Sequence, residues 1–228
     1  MPSITNVEVY GVERAIRTAK YPKAVELDSL TADLTQGIQG CLSCATGQGH
    51  DNALKGIIVQ FDLTMSQNAW MQAERYHWFD IVSSQSKMHK ASSFDIKSQC
   101  NRYVDSCIIN VCNEKIAEYK RLVELNKKSY DPNRKKLIDE AYLAVLYNIP
   151  CGFELTAGMT TNYQQLKTIY QQRRHHRLPE WQMICDWIET LPRCMELKQK
   201  EDPNGKYHQA LDTYRAHPNQ GSCKRCSV

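Results

Sequence analysis

Residues 57–78, IIVQFDLTMSQNAWMQAERYHW, decide the fold. Ile57–Leu63 is β-branched and aromatic and reads as the strongest strand in the chain. Ser66 follows as a helix cap, because a serine hydroxyl there accepts one of the backbone N–H groups left open in the first turn. The stretch SQNAWMQAERYHW then reads as a helix, with Trp70, Ala73 and His77 on one face.

Outward from this strand and helix, residues 1–10 alternate through Ile4, Val7 and Val9 as a second strand, and residues 36–53, rich in Gly and small polar groups, read as a loop. Ile108–Leu125 and Leu137–Leu146 are helices, the second announced by Asp131-Pro132. A short extended piece, GFELTAGM, precedes a helix from about Thr160 to Arg173, whose buried stripe is Leu166, Ile169 and Tyr170. The next helix opens on Pro179, a favourable first-turn residue, and turns Trp181, Ile184, Cys185 and Ile188 inward. Strands and helices do not alternate as parallel units, so the expected class is α+β, with a central mostly antiparallel sheet flanked by helices. We expect one domain over residues 1–200 and a polar C-terminal tail over residues 201–228 that ends in a CxxC pair.

Bulk composition narrows the function classes. At 228 residues the chain is long enough for a sizeable core. The formal charge of +4 (29 basic against 25 acidic residues) suits a phosphate-bearing ligand but is too small to argue for nucleic acid. The N-terminus lacks the pattern of a secretory signal, and apolar runs such as Gly56–Val59 are too short to span a bilayer, so a cytoplasmic, soluble protein without membrane contact is expected. Ten cysteines is a high count, and in a cytosolic chain buried thiols are the commoner reading. The two CxxC pairs, Cys41/Cys44 and Cys223/Cys226, are each a weak zinc signal, and a joint site would need the tail to fold back or to meet a neighbouring subunit.

Three stretches carry chemistry. Gly49–Gly56 is a polar turn entering the strand. Glu74–Lys90 moves from Arg75 and His77 through the hydroxyl and amide donors Ser83, Ser84, Gln85 and Ser86 to Lys87 and Lys90, a strip suited to phosphate and ring-carbonyl recognition. Its plain alternative is a solvated loop with a packed His77. In the third stretch Asn162, Leu166, Ile169 and Arg173 share a helical face, and the run RRHHR (173–177) also suits a helix C-terminus electrostatically. A nucleic-acid role for that run is the most distant reading.

In order and spacing these stretches resemble the landmarks of the flavin-dependent thymidylate synthases over about residues 48–190. That family has Ser-x-x-Glu-His before a strand, then Arg-His-Arg-x-x-Ser-x-Asn-x-x-Ser-x-Arg-Tyr, then a late helix that begins near Asn-x-Arg-Ser-Leu and ends in Leu-Arg. The departures are specific. Lys55-Gly56 stands for the Glu-His pair, Tyr76 and Trp78 replace the arginines flanking His77, Ser83 replaces the Asn, and Met88-His89 replaces the closing Arg-Tyr. Gln164 replaces the Arg of Asn-x-Arg, while Ser86, Asn162 and a helix-end arginine (Arg173 or Arg174) remain. Arg75, Lys87, Lys90 and the RRHHR run are the nearby cations that would compensate.

The resemblance implies a flavin-dependent thymidylate synthase-like fold and an enzyme that reductively methylates dUMP to dTMP. FAD would be the cofactor, and NADPH and methylene-tetrahydrofolate the co-substrates. It implies Ser86, Arg173 and Arg174 at the catalytic position. His77, Ser83, Asn162 and His176 would face the cofactor. Arg75, Ser84, Gln85, Ser86, Lys87, Arg173 and Arg174 would face the pyrimidine nucleotide. It further implies a homotetramer with sites at subunit interfaces. Two rivals stay open: a related flavoenzyme acting on another pyrimidine nucleotide, and a non-catalytic nucleotide-binding protein that kept the fold.

Overall fold

The computed structural model describes residues 2–197. Strands β1 (Ser3–Tyr10), β2 (Ile58–Ser66), β3 (Phe79–Ser84) and β4 (Glu154–Asn162) form one sheet in the order β1-β2-β4-β3, with every neighbouring pair antiparallel. In chain order the helices are α1 (Val12–Thr18), α2 (Gln36–Leu42), α3 (Gln67–Ala73), α4 (Lys87–Lys90), α5 (Ile96–Gln99), α6 (Ser106–Lys128), α7 (Pro132–Asn148), α8 (Tyr163–Arg173), α9 (Pro179–Thr190) and α10 (Cys194–Leu197). The α+β class with a helix-flanked antiparallel sheet is the one the sequence reads. Among the described residues no helix is long and apolar enough to cross a membrane.

Strand periodicity sets the layers. Val59, Phe61, Leu63 and Met65 of β2 are buried, as are Ala157 and Met159 of β4, whereas the alternate residues Ile58 and Gln60 are exposed. The buried face packs against α3, α8 and α9, where Ala69, Leu166, Ile169, Trp181, Ile184 and Ile188 complete the main core. A second cluster gathers Ile96, Cys112, Ile116, Val145 and Phe153 from α5, the α6–α7 hairpin and the approach to β4. The caps follow the sequence. Ser66 accepts the Ala69 N–H at 3.3 Å, and Asp105 and Asp131 accept from Cys107 and Asn133, each at 2.9 Å.

Four local expectations change. Residues 79–84 form a strand, because pairing along β4 outweighs their weak local signal; five of these six side chains are exposed, so no alternation marks them. Helix α3 therefore stops at Ala73, and His77 is exposed rather than packed with Trp70. Within the expected loop 36–53, Thr35 caps the short helix α2 and residues Asn52–Gly56 form a 3-10 turn. The late helix begins at Tyr163 rather than Thr160, because residues 160–162 belong to β4.

Two close contacts hold the 49–56 turn. Gly11, at φ 84°, brings its Cα against the Gly56 carbonyl, where an added Cβ would sit 2.5 Å from the oxygen. Lys167 of α8 reaches back to Asp51 at 2.8 Å and to the Leu42 carbonyl at 2.9 Å, while Gln164 donates to the other Asp51 oxygen at 2.9 Å. This ion pair is buried, with side-chain exposures of 3% and 2%, so removing one partner strands a charge in the interior. Lys167→Ala is expected to lower unfolding stability by about 3–5 kcal/mol, whereas Arg121→Ala, in the exposed Glu118 pair, should leave it nearly unchanged. Urea denaturation of both variants checks the contrast.

Candidate functional site

One part of each chemical stretch meets the others at one end of the sheet: the Asp51 turn, residues 77–79 and Asn162, whereas residues 83–90 run toward the other end of β4. Ile58 pairs with Asn162 and Phe79 pairs with Thr161, so the entry to β2, the start of β3 and the exit of β4 lie side by side. The Asp51 turn is tied to this end through Gln164 and Lys167. The Thr161 hydroxyl donates to the Trp78 carbonyl at 2.6 Å, and the Asn162 side chain accepts the Gln165 N–H at 2.9 Å as the cap of α8. Asn162 thus has a structural duty besides any ligand contact. His77 is exposed at the same end.

Ser83, Ser84, Gln85 and Ser86 lie along and beyond β3, an edge strand about 20 Å long. Gln85 closes the ladder twice: its N–H donates to the Thr156 carbonyl at 2.9 Å, and its side-chain oxygen accepts the Thr156 N–H at 3.0 Å. Ser83 and Ser84 are exposed and Ser86 is half-buried. Lys87 donates to the Gln67 side-chain oxygen in the first turn of α3, and burial lowers its pKa, with Cys151 nearby acting in the opposite sense.

Arg173 ends α8 about 16 Å along that helix from Asn162. Its Nε donates to the Tyr76 hydroxyl at 2.7 Å and one Nη to the Gln72 side-chain oxygen at 3.3 Å. The guanidinium also lies over the Trp181 ring at 4.8 Å and the Tyr76 ring at 5.4 Å. Trp181 donates its indole N–H to the same Gln72 oxygen at 3.0 Å. Every one of these partners is neutral, and among the described residues no carboxylate pairs with Arg173. Arg174 differs: it is engaged by Asp186 and, at 3.5 Å, by Glu189 of α9. Arg75 is exposed in the turn after α3.

The candidate residues therefore fall into two groups bridged by α3. Gln67 in its first turn holds Lys87 near Ser86, and Gln72, roughly 7–8 Å further along, holds Arg173. The monomer connects the two groups, yet Ser86 and Arg173 share no direct contact among these bonds. Gln72 was not singled out from the sequence, and Tyr76 and Trp181, noted there as a replaced arginine and a core residue, were not read as partners of Arg173. The spacing of Gln72 and Tyr76, one helical turn apart, is the signal that would have drawn attention to them.

Cys41 and Cys44 are free thiols, and Cys223 and Cys226 lie outside the described residues. Among the described residues no group of three or more His, Cys, Asp or Glu is placed to hold a metal. Burial pushes the Cys100 thiol up to about 11 and the Cys185 thiol to about 12, which keeps both protonated.

No protein-family model matches the chain, and no curated protein matches it. Solved structures do. Helicobacter pylori thymidylate synthase X (ThyX), determined with FAD and dUMP, superposes at TM-score 0.56 with 13% identity, covering 86% of this chain and 96% of that one. The UMP/dUMP methylase PolB from Streptomyces cacaoi, bound to 5-Br dUMP, superposes at TM-score 0.54 with 13% identity, covering 83% and 88%. The fold is ThyX-like. At this identity the ThyX-like likeness describes the backbone framework, and the chemistry rests on the side chains above.

His176 lies beside the Arg173 cluster, its ring 6.4 Å from Trp181 and its Nδ1 accepting the Leu178 N–H at 3.1 Å. Burial lowers its pKa below 6.5, Arg173 and Arg177 lower it further, and Glu180 opposes them. A depressed histidine binds its proton more readily in the unfolded chain, so folding stability falls as pH drops through 6.5 and the loss saturates below the folded-state pKa. His176→Gln is expected to flatten stability between about pH 7 and pH 5 relative to the parent chain, as measured by denaturation at each pH.

Proposed function

We propose that this chain binds a pyrimidine nucleotide beside a flavin and reductively methylates dUMP at its ring, as a homotetramer. The observation that carries this reading is Arg173. A half-buried guanidinium oriented by Tyr76, Gln72 and the Trp181 face, with neutral partners on every side, is a cation prepared for an anionic ligand. A nucleotide phosphate supplies that anion. The ThyX and PolB structures, one with dUMP and the other with 5-Br dUMP, support the choice of a pyrimidine nucleotide.

The residues at hand suit a flavin as donors. The exposed hydroxyls of Ser83 and Ser84 and the exposed imidazole of His77 offer directional hydrogen bonds, and Arg75 and Lys90 offer charge for its phosphates. When bound, a flavin supplies the hydride chemistry, and NADPH and methylene-tetrahydrofolate would be its co-substrates. The protein's part is to orient the ring, with Ser86 and Gln85 near the pyrimidine and Lys87 held close by. Ser83 and Ser84 sit on an open edge strand and Gln85, Ser86 and Lys87 follow directly after it, so a facing subunit would complete the cleft and exclude water.

A second reading, a nucleotide binder without flavin, is favoured by Tyr76 and Trp78, which stand where the resembling family keeps the arginines of its Arg-His-Arg, residues of a set that grips the flavin or the nucleotide phosphate. Titration of the purified chain with dUMP and with FAD separates the two. Binding of both, with yellow protein, supports the enzyme; dUMP binding alone supports the binder; binding of neither overturns the proposal. At a dUMP concentration of about 100 Kd, thermal unfolding should show roughly 2.7 kcal/mol of stabilisation. Arg173→Ala should weaken dUMP binding by about 10- to 100-fold, and Arg173→Lys should recover only part of that, since an ammonium lacks the planar fork.

A further inference from the structure

Three non-glycine residues among those described, Asn6, Trp78 and Arg193, have a positive φ, and Trp78 is the bulkiest of them. It has φ 63°, the left-handed region, where a bulky side chain is a genuine outlier. It is also 67% exposed, although tryptophan is among the most costly residues to leave in water. The strain has a visible cause. The Thr161 hydroxyl, buried beneath the strand, holds the Trp78 carbonyl at 2.6 Å, while Phe79 next in sequence is pinned in the core against Thr161 of β4. With the carbonyl held and Phe79 directed inward, the indole of Trp78 stands out into solvent beside His77. Strain of this kind persists where the surrounding structure over-determines it, and such sites concentrate at ligand clamps.

We propose that Trp78 is a stacking platform for a planar heteroaromatic ring, the isoalloxazine of a flavin in the first instance and a pyrimidine base otherwise. The inference rests on the flavin-and-nucleotide reading above and deepens it. In the resembling family this position carries an arginine, which holds its ligand by charge. An exposed indole at the same place holds a ring by its face, a contact that needs no counter-charge. The exchange accounts for the loss of a cation at this position without requiring loss of the ligand. The other three tryptophans are placed differently: Trp70 and Trp181 are buried and Trp187 is half-buried, so Trp78 dominates the solvent-exposed emission of the chain.

The test is a fluorescence and binding titration of the full chain with riboflavin, FAD and dUMP in separate arms, on the parent, Trp78→Phe and Trp78→Gly. Glycine adopts positive φ without strain, so Trp78→Gly should match or exceed the parent in thermal stability, which separates folding from binding. In the parent, ligand should quench the red-edge emission. Trp78→Gly should bind the quenching ligand about 5- to 100-fold more weakly, and Trp78→Phe should bind closer to the parent. Riboflavin and FAD losing affinity together identifies the isoalloxazine as the stacked ring, and dUMP alone losing affinity identifies the pyrimidine. A folded Trp78→Gly that binds FAD and dUMP as tightly as the parent overturns the stacking role and leaves the proposed function standing. A parent that binds none of the three removes both.

Discussion

The insertion of β4 between β2 and β3 constrains everything that faces the candidate site. Residues 67–153 separate the end of β2 from the start of β4, yet Ser66 pairs with Glu154 and Ile58 with Asn162. Closing so long a loop is entropically unfavourable and is offset by a ladder that β4 makes on both sides, together with the apolar face it shares with β2. Once β4 is seated, it does several jobs in nine residues. Thr156 takes both hydrogen bonds of Gln85, Thr161 fixes the Trp78 carbonyl, and Asn162 opens α8, which in turn delivers Lys167 to Asp51 and Arg173 to Tyr76.

The arrangement at Arg173 illustrates how such a framework makes a charge available. An arginine paired with a carboxylate, as Arg174 is with Asp186, has its charge satisfied within the protein. Arg173 keeps its net charge because its contacts are a phenol, an amide and two ring faces. These partners fix its direction without neutralising it. Helix α3 then links this cation to the Lys87 and Ser86 group through two glutamines, so both groups depend on one short element whose cap, Ser66, is itself bonded to the buried Glu180 of α9 at 2.6 Å.

Elements whose burial is one-sided were legible in the sequence. Val59, Phe61, Leu63 and Met65 alternate, Leu166, Ile169 and Tyr170 form a stripe, and Trp181, Ile184, Cys185 and Ile188 all lie inside as their spacing implies. Strand β3 was not legible, because an edge strand exposed on both faces shows no period; its pairing comes entirely from β4. The same blindness extended α3 too far and gave His77 a packed face it does not have. Of the candidate residues, the sequence brought out Arg173 and its neighbours but not what orients them, since the Tyr76–Gln72–Trp181 set spans two helices and a turn. The strain at Trp78 is invisible in one dimension: it arises from a hydroxyl 83 positions away.

The most direct measurement of the central claim, that Arg173 is held ready for an anionic pyrimidine nucleotide, is a crystal structure of the chain soaked with dUMP. The account predicts phosphate density against the Arg173 guanidinium, with the Tyr76 and Gln72 bonds kept. Nucleotide density elsewhere, with Arg173 still facing only its neutral partners, would contradict it.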